Sequence, residues 1–133
     1  MSEQWPNSRE FWQGRRVAVT GGAGFLGTFV VAKLREHGAS EIFVPTFENY
    51  DLRHLDAVRQ MLTDARPDLV IHLAARVGGI GANRAHPAEF FYDNLMMGTH
   101  LLHESWAAGV QKFVALGRSE EHTSELQSPN TTS

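Results

Sequence analysis

Apolar positions along the chain fall into short continuous runs separated by longer segments with helical spacing. Arg16-Val17-Ala18-Val19-Thr20 reads as a buried strand. The stretch from Gly21 to Gly27 is glycine-rich. Phe25 to His37 then reads as a helix, with Phe25, Phe29, Ala32 and Leu34 near helical spacing. Gly38 suits the end of that helix, because glycine enters the left-handed region cheaply. Ile42-Phe43-Val44 reads as a second strand, stopped by Pro45. Leu55, Val58, Met61 and Leu62 mark a second helix, ended by Pro67. Leu69 to Ala75 is the third strand, and Gly78 to Gly81 a flexible loop. Pro87 opens a long helix at the favoured first-turn position. Its inner face is expected to carry Phe91, Leu95, Gly98, Leu102, Ser105 or Trp106, and Gly109. Lys112 to Leu116 is the fourth strand.

The order is therefore β-α-β-α-β-α-β. Continuous apolar runs, rather than alternating ones, belong to strands buried on both faces. The predicted fold class is α/β, a doubly wound parallel sheet of about four strands with helices on both sides and right-handed crossovers. Residues 1–14 read as an N-terminal extension, in which Phe11 and Trp12 are expected to cover a sheet edge. Residues 15–117 read as the folded part, without internal repeat or linker. Residues 118–133 hold one large aliphatic side chain, Leu126, amid Ser, Thr, Glu and Asn, and are expected to be disordered.

Composition changes this picture only by exclusion. The chain has 133 residues, 42% apolar and 20% charged, which suits one globular domain. A net charge of −3 argues against nucleic-acid binding through a basic field. No apolar run approaches the roughly 18 residues of a membrane span, and the first 14 residues do not read as a secretory signal. With no cysteine, disulfide scaffolds, thiolate zinc sites and thiol catalysis are excluded. A cytoplasmic location is expected. His100, His103 and Glu104 lie close on one helix, but neither His-Glu-x-x-His spacing nor a third histidine accompanies them, so no metal is expected.

The candidate chemistry lies in Thr20-Gly21-Gly22-Ala23-Gly24-Phe25-Leu26-Gly27. Gly21, Gly24 and Gly27 form Gly-x-x-Gly-x-x-Gly after a predicted strand and at the start of a predicted helix, the context of a dinucleotide fingerprint. Gly21 permits the tight turn, Gly24 lets backbone approach a pyrophosphate, and Gly27 lets helix pack on strand. The helix N-terminus offers free N–H groups and a positive dipole end to phosphate. The sheet is thus read as an incomplete Rossmann-like one. An acid at the end of the second strand usually holds the ribose 2′-OH of NAD. That strand ends Val44-Pro45-Thr46, and Glu48 comes slightly later, which leans towards NADP.

Together the glycine loop, Asp51-Leu52-Arg53, the run from His72-Leu73-Ala74-Ala75 through Val77-Gly78-Gly79-Ile80-Gly81-Ala82-Asn83, and Phe90-Phe91-Tyr92-Asp93-Asn94-Leu95-Met96-Met97 resemble the GDP-L-fucose synthases. These are NADP-dependent GDP-4-keto-6-deoxymannose epimerase/reductases of the extended short-chain dehydrogenase group. The resemblance runs from about Trp12 to Gly117 and covers well under half of a typical family chain. It implies NADP as cofactor, with NAD as the alternative, a GDP-sugar substrate, and a homodimer formed through helices such as Pro87 to Ala108. It implies that Gly21, Gly24, Phe25, Leu26 and Gly27 hold the pyrophosphate. Asp51 and Leu52 would meet the adenine, the Asp51 carboxylate accepting from the exocyclic amine. Leu73, Ala74, Ala75 and Val77 would line the floor, and Gly78, Gly79 and Asn83 the sugar-nucleotide pocket. Asn94 would brace the active-site strand. Asp51 as a helix N-cap and Asn94 as a purely structural amide stay open as alternatives. Relatives often carry an arginine where Thr46 stands, and Thr46 can only hydrogen-bond a 2′-phosphate.

In this group a tyrosine handles the carbonyl proton, a lysine four residues later lowers its pKa, and a serine or threonine binds the substrate oxygen. Here Tyr50 is followed four residues on by His54 and Tyr92 by Met96, and the only lysines are Lys33 and Lys112. No catalytic residue is therefore assigned. Arg118-Ser119-Glu120-Glu121-His122-Thr123-Ser124-Glu125-Leu126-Gln127-Ser128 resembles a translated sequencing adapter, so residues 118–133 are expected to be foreign to the natural protein. The expected activity is NADP-dependent conversion of GDP-4-keto-6-deoxymannose to GDP-L-fucose by the parent enzyme, with this chain supplying the cofactor half. The alternatives are another NAD-dependent sugar-nucleotide epimerase or dehydratase, or a non-catalytic NAD(P)-binding module.

Overall fold

The computed structural model describes residues 7–74 and 87–116. Its elements run α1 (Ser8–Trp12), β1 (Arg16–Thr20), α2 (Phe25–Glu36), β2 (Glu41–Phe43), α3 (Leu55–Ala65), β3 (Leu69–His72), α4 (Pro87–Ala107) and β4 (Lys112–Ala115). The four strands form one sheet in the order β2-β1-β3-β4, every pairing parallel. Val17 sits opposite Ile42 on one side and Leu69 on the other, and Val70 sits opposite Phe113.

The continuous apolar strands do bury both faces. Ala18 and Val70 pack on Val58, Met61 and Leu62 of α3 and on Met97 and Leu101 of α4. Val17, Val19 and Leu69 point the other way, onto Leu34 of α2 and onto Ala39. The expected α/β class, with helices on both faces of a parallel sheet, is what the chain adopts. The end of α2 also forms as expected. Gly38 has φ +106°, its N–H donates to the Arg35 carbonyl, and the Ala39 N–H donates to the Leu34 carbonyl.

Three expectations need correction. First, the buried face of α4 carries Phe90, Met97, Leu101 and Ser105, whereas Phe91, Leu95, Leu102 and Trp106 are exposed. The apolar residues of α4 encircle the helix, so spacing alone left its rotation undetermined. Second, Phe11 and Trp12 sit on the α2-side cluster rather than at a sheet edge. They lie on a short helix, not expected from the sequence pattern, whose cap, Asn7, accepts from the Arg9 and Glu10 N–H groups. Third, β3 ends at His72, with Leu73 and Ala74 beyond it, and β2 runs Glu41–Phe43 rather than to Val44. Trp5, Ala75 and the tail from 117 lie outside the described residues.

Asp68, which the sequence pattern did not single out, ties three strands at their N-terminal ends. Its carboxylate accepts from the Arg16 N–H at 2.9 Å, its own N–H donates to the Arg16 carbonyl, and its carbonyl accepts from Gln111 N–H. Register is thereby fixed at the end of the sheet opposite the glycine loop.

Candidate functional site

After β1 the chain crosses to β2 on one side, then returns past β1 to β3 on the other. The connections leave β1 and β3 in opposite directions, and a crevice opens at their carboxyl ends. In open parallel sheets this is where ligands bind. Thr20 and His72 are the last residues of the two strands and stand opposite each other. A cleft of about 1120 Å³ lies above them. Its walls include Gly21, Gly24, Phe25, Leu26 and Gly27 from the loop, Asp51 and Leu52 beyond β2, and Leu73 and Ala74 beyond β3. All nine residues were expected there from the sequence. Ala75, Val77, Gly78, Gly79 and Asn83 lie outside the described residues.

The loop is shaped by what a side chain would hit. Gly21 has φ +75°, and a Cβ there would stand 2.7 Å from the Ala74 nitrogen. A Cβ on Gly27 would drive into the Gly21 carbonyl oxygen. Gly27 thus packs the helix start against its own loop rather than against the strand. Gly24 is the N-cap of α2 and supplies no side-chain bond to the first turn. The N–H groups of that turn, with the positive dipole end, therefore face the cleft unprotected by a cap. That is the cradle a pyrophosphate fits.

Below the loop lies a buried polar junction. The Thr20 hydroxyl accepts from the Leu73 and Ala74 N–H groups, both at 3.1 Å. It also lies 2.7 Å from His72 Nδ1. The Leu73 N–H is shared with the Thr20 carbonyl at 2.9 Å. With N–H donors pointing at its lone pairs, the hydroxyl turns its one proton to Nδ1. His72 is therefore the Nε2–H tautomer. Burial pushes its imidazole down to about 4, so it is neutral at ordinary pH. This junction fixes Leu73 and Ala74, the floor of the cleft.

The outer wall follows β2. The Asn49 and Tyr50 N–H groups both donate to the Thr46 carbonyl, folding residues 46–50 into a tight turn. Asp51 is not a helix cap, since His54 holds that position. Instead the Asp51 carboxylate accepts from Arg53 Nε at 2.9 Å and Nη2 at 2.7 Å, and from the Arg53 backbone N–H. The Arg53 hydrogen bonds hold the carboxyl down at about 2. The Arg53 guanidinium lies 5.4 Å from the centre of the Phe47 ring. Leu52 is buried in the core on the α3 side as well as lining the cleft. Thr46, Phe47, Glu48, Tyr50, Arg53 and Met97 also line it; sequence reasoning had weighed Thr46 and Glu48 near the ribose and gave the other four no place there. The signal for the first five was their place just after the second strand; Met97 depended on the rotation of α4. Asn94 is half-buried and engaged. Among the described residues no three His, Asp or Glu groups gather as a metal site.

The NAD dependent epimerase/dehydratase family matches residues 17–132, from the first core residue of β1 onward. This chain belongs to that family. Among family relatives, GDP-L-fucose synthase 1 of Arabidopsis thaliana is 36% identical over 104 residues, covering 78% of this chain and 32% of that protein. The GDP-L-fucose synthase of Escherichia coli is 33% identical over 105 residues, covering 79% and 33%. The resemblance drawn from the loop and helix motifs is thus met by these relatives. In structure, the GDP-mannoheptose C4 reductase of Campylobacter jejuni with NADP bound matches at TM-score 0.71 and 30% identity, covering 77% of this chain and 32% of that one. A GDP-L-fucose synthetase from Naegleria fowleri bound to NADP matches at 0.65 and 31%, covering 77% and 30%. The chain spans about a third of the length of the curated relatives it matches. Among the described residues no helix is long and apolar enough to cross a membrane.

Proposed function

We propose that this chain is the dinucleotide-holding part of an NADP-dependent GDP-sugar epimerase/reductase, with GDP-4-keto-6-deoxymannose as the parent enzyme's substrate. The observation that carries this reading is the uncapped start of α2, set by Gly21 and Gly27 over the crevice between β1 and β3. The NADP-bound relatives favour NADP over NAD. In this reading the first-turn N–H groups of α2 hold the pyrophosphate, and the Thr20–His72 junction holds the floor beside the ribose and nicotinamide. The nicotinamide supplies hydride when bound. In this reading Asn94 braces the neighbouring strand.

The proton-handling groups of the reaction are not assigned to this chain, because neither tyrosine is followed four residues on by lysine. We therefore expect binding without turnover. NADPH titrated into the chain should enhance or shift its nicotinamide fluorescence. Adding the 4-keto GDP-sugar should leave NADPH absorbance unchanged. A steady fall in that absorbance would overturn the assignment of chemistry to groups elsewhere; absence of NADPH binding would overturn the dinucleotide site. We further propose that residues 118–133 are foreign to the family protein, although the family match runs on to residue 132; sequencing across the Gly117 codon with a different library chemistry tests this. The exposed Phe91, Leu95, Leu102 and Trp106 stripe on α4 supports a homodimer through that helix in the parent enzyme.

A further inference from the structure

We infer that Phe47 is the stacking platform for the adenine of the dinucleotide, with the Arg53 guanidinium packed against its ring. This rests on the dinucleotide reading above and names the residue that would recognise the base. Phe47 stands in the wall of the cleft and is 65% exposed. The Arg53 guanidinium lies over the ring, 5.4 Å from its centre, and lines the same cleft. The exposure of Phe47 leaves ring area for a flat partner.

The platform is built rather than loose. The Thr46 carbonyl takes two backbone N–H groups and fixes the turn that carries Phe47. Asp51 grips Arg53 through two parallel N–H···O bonds of 2.9 and 2.7 Å, a fork geometry that fixes the guanidinium plane. Asp51 thereby acts through Arg53, as a positioning residue, in addition to any contact it makes with the base. A cation over one π face attracts the ring and helps hold its orientation, and an aromatic ring has a second face for stacking. Any base has such a face, and the partner here is adenine because the cleft continues from Phe47 to the pyrophosphate cradle at Gly24.

The test uses three probes on the full chain: NADPH, 2′,5′-ADP, which carries only the adenosine end, and reduced nicotinamide mononucleotide, which lacks it. Phe47→Leu should weaken NADPH and 2′,5′-ADP about tenfold, the ordinary scale of losing one base–aromatic stack. Reduced nicotinamide mononucleotide should bind as before, which also reports that the variant is folded. Phe47→Trp should restore the affinity, and Arg53→Gln should lose a severalfold part of it. Equal affinity of Phe47→Leu and the parent for 2′,5′-ADP would overturn the inference while leaving the site intact. So would a loss shared by all three probes. If the parent chain binds none of them, the dinucleotide reading itself fails and the inference falls with it.

Discussion

Thr20 and His72 are the residues at which burial and hydrogen bonding make a definite demand. His72 must present an unprotonated Nδ1 to the Thr20 hydroxyl, and burial enforces that state by holding its pKa near 4. In the unfolded chain the same imidazole titrates at about 6.5. Between those values the unfolded state binds more protons, so stability rises with pH there. Its contribution is complete above the unfolded value and is lost as pH falls from about 6.5 to about 4, by up to about 3 kcal/mol. Urea unfolding at a series of pH values should show this slope, and His72→Gln should flatten it. An unchanged slope in that variant would mean another group carries the dependence. Of this, the sequence disclosed only that Thr20 ends a strand and that His72 lies within one; the end of β3 at His72 and the pairing of the two residues needed the tertiary structure.

At the scale of elements, α4 carries the main disagreement between pattern and fold. Leu101 is fully buried against α3 and the sheet, whereas Leu102 is 53% exposed one position on. Leu101→Ala should cost about 2–5 kcal/mol, the usual range for emptying a buried leucine site. Leu102→Ala should cost under about 0.5 kcal/mol. Denaturant midpoints of the two variants decide it, and comparable losses would refute the observed rotation. A pattern-based choice put Leu102 inside because Phe91, Leu95 and Leu102 repeat at helical spacing as well as Phe90, Met97 and Leu101 do. Such a helix offers two apolar stripes, and the partner decides which is covered. Here Arg59 of α3 helps, meeting Glu104 of α4 through both Nε and Nη2. In α3, by contrast, Val58, Met61 and Leu62 form one stripe and were buried as read.

For the molecule as a whole, β4 is an edge of the sheet among the described residues. Val114 and Leu116 are 46% and 52% exposed beside that edge, and the α4 stripe adds Trp106 at 75%. An open parallel edge with apolar flanks recruits other chains. The chain should therefore self-associate in a concentration-dependent way, as sedimentation velocity would register; a single monomeric species at every concentration would contradict this. Element types, their order, the parallel sheet and the glycine loop were legible in the sequence, because each depends on local periodicity, on proline and glycine geometry, or on runs long enough to be buried on both faces. Gly21, Gly24 and Gly27 were legible for the same reason, as a glycine motif between strand and helix, whereas Asp51, Leu52, Leu73 and Ala74 came only from the family resemblance. Strand order, the covered face of α4, the Thr20–His72 bond and the Asp51–Arg53–Phe47 chain were decided only by the tertiary structure. Each joins residues brought together by crossovers or by a turn. Which of two equivalent faces is buried, and which lone pair meets which proton, is fixed by the partner across the contact and not by neighbours along the chain.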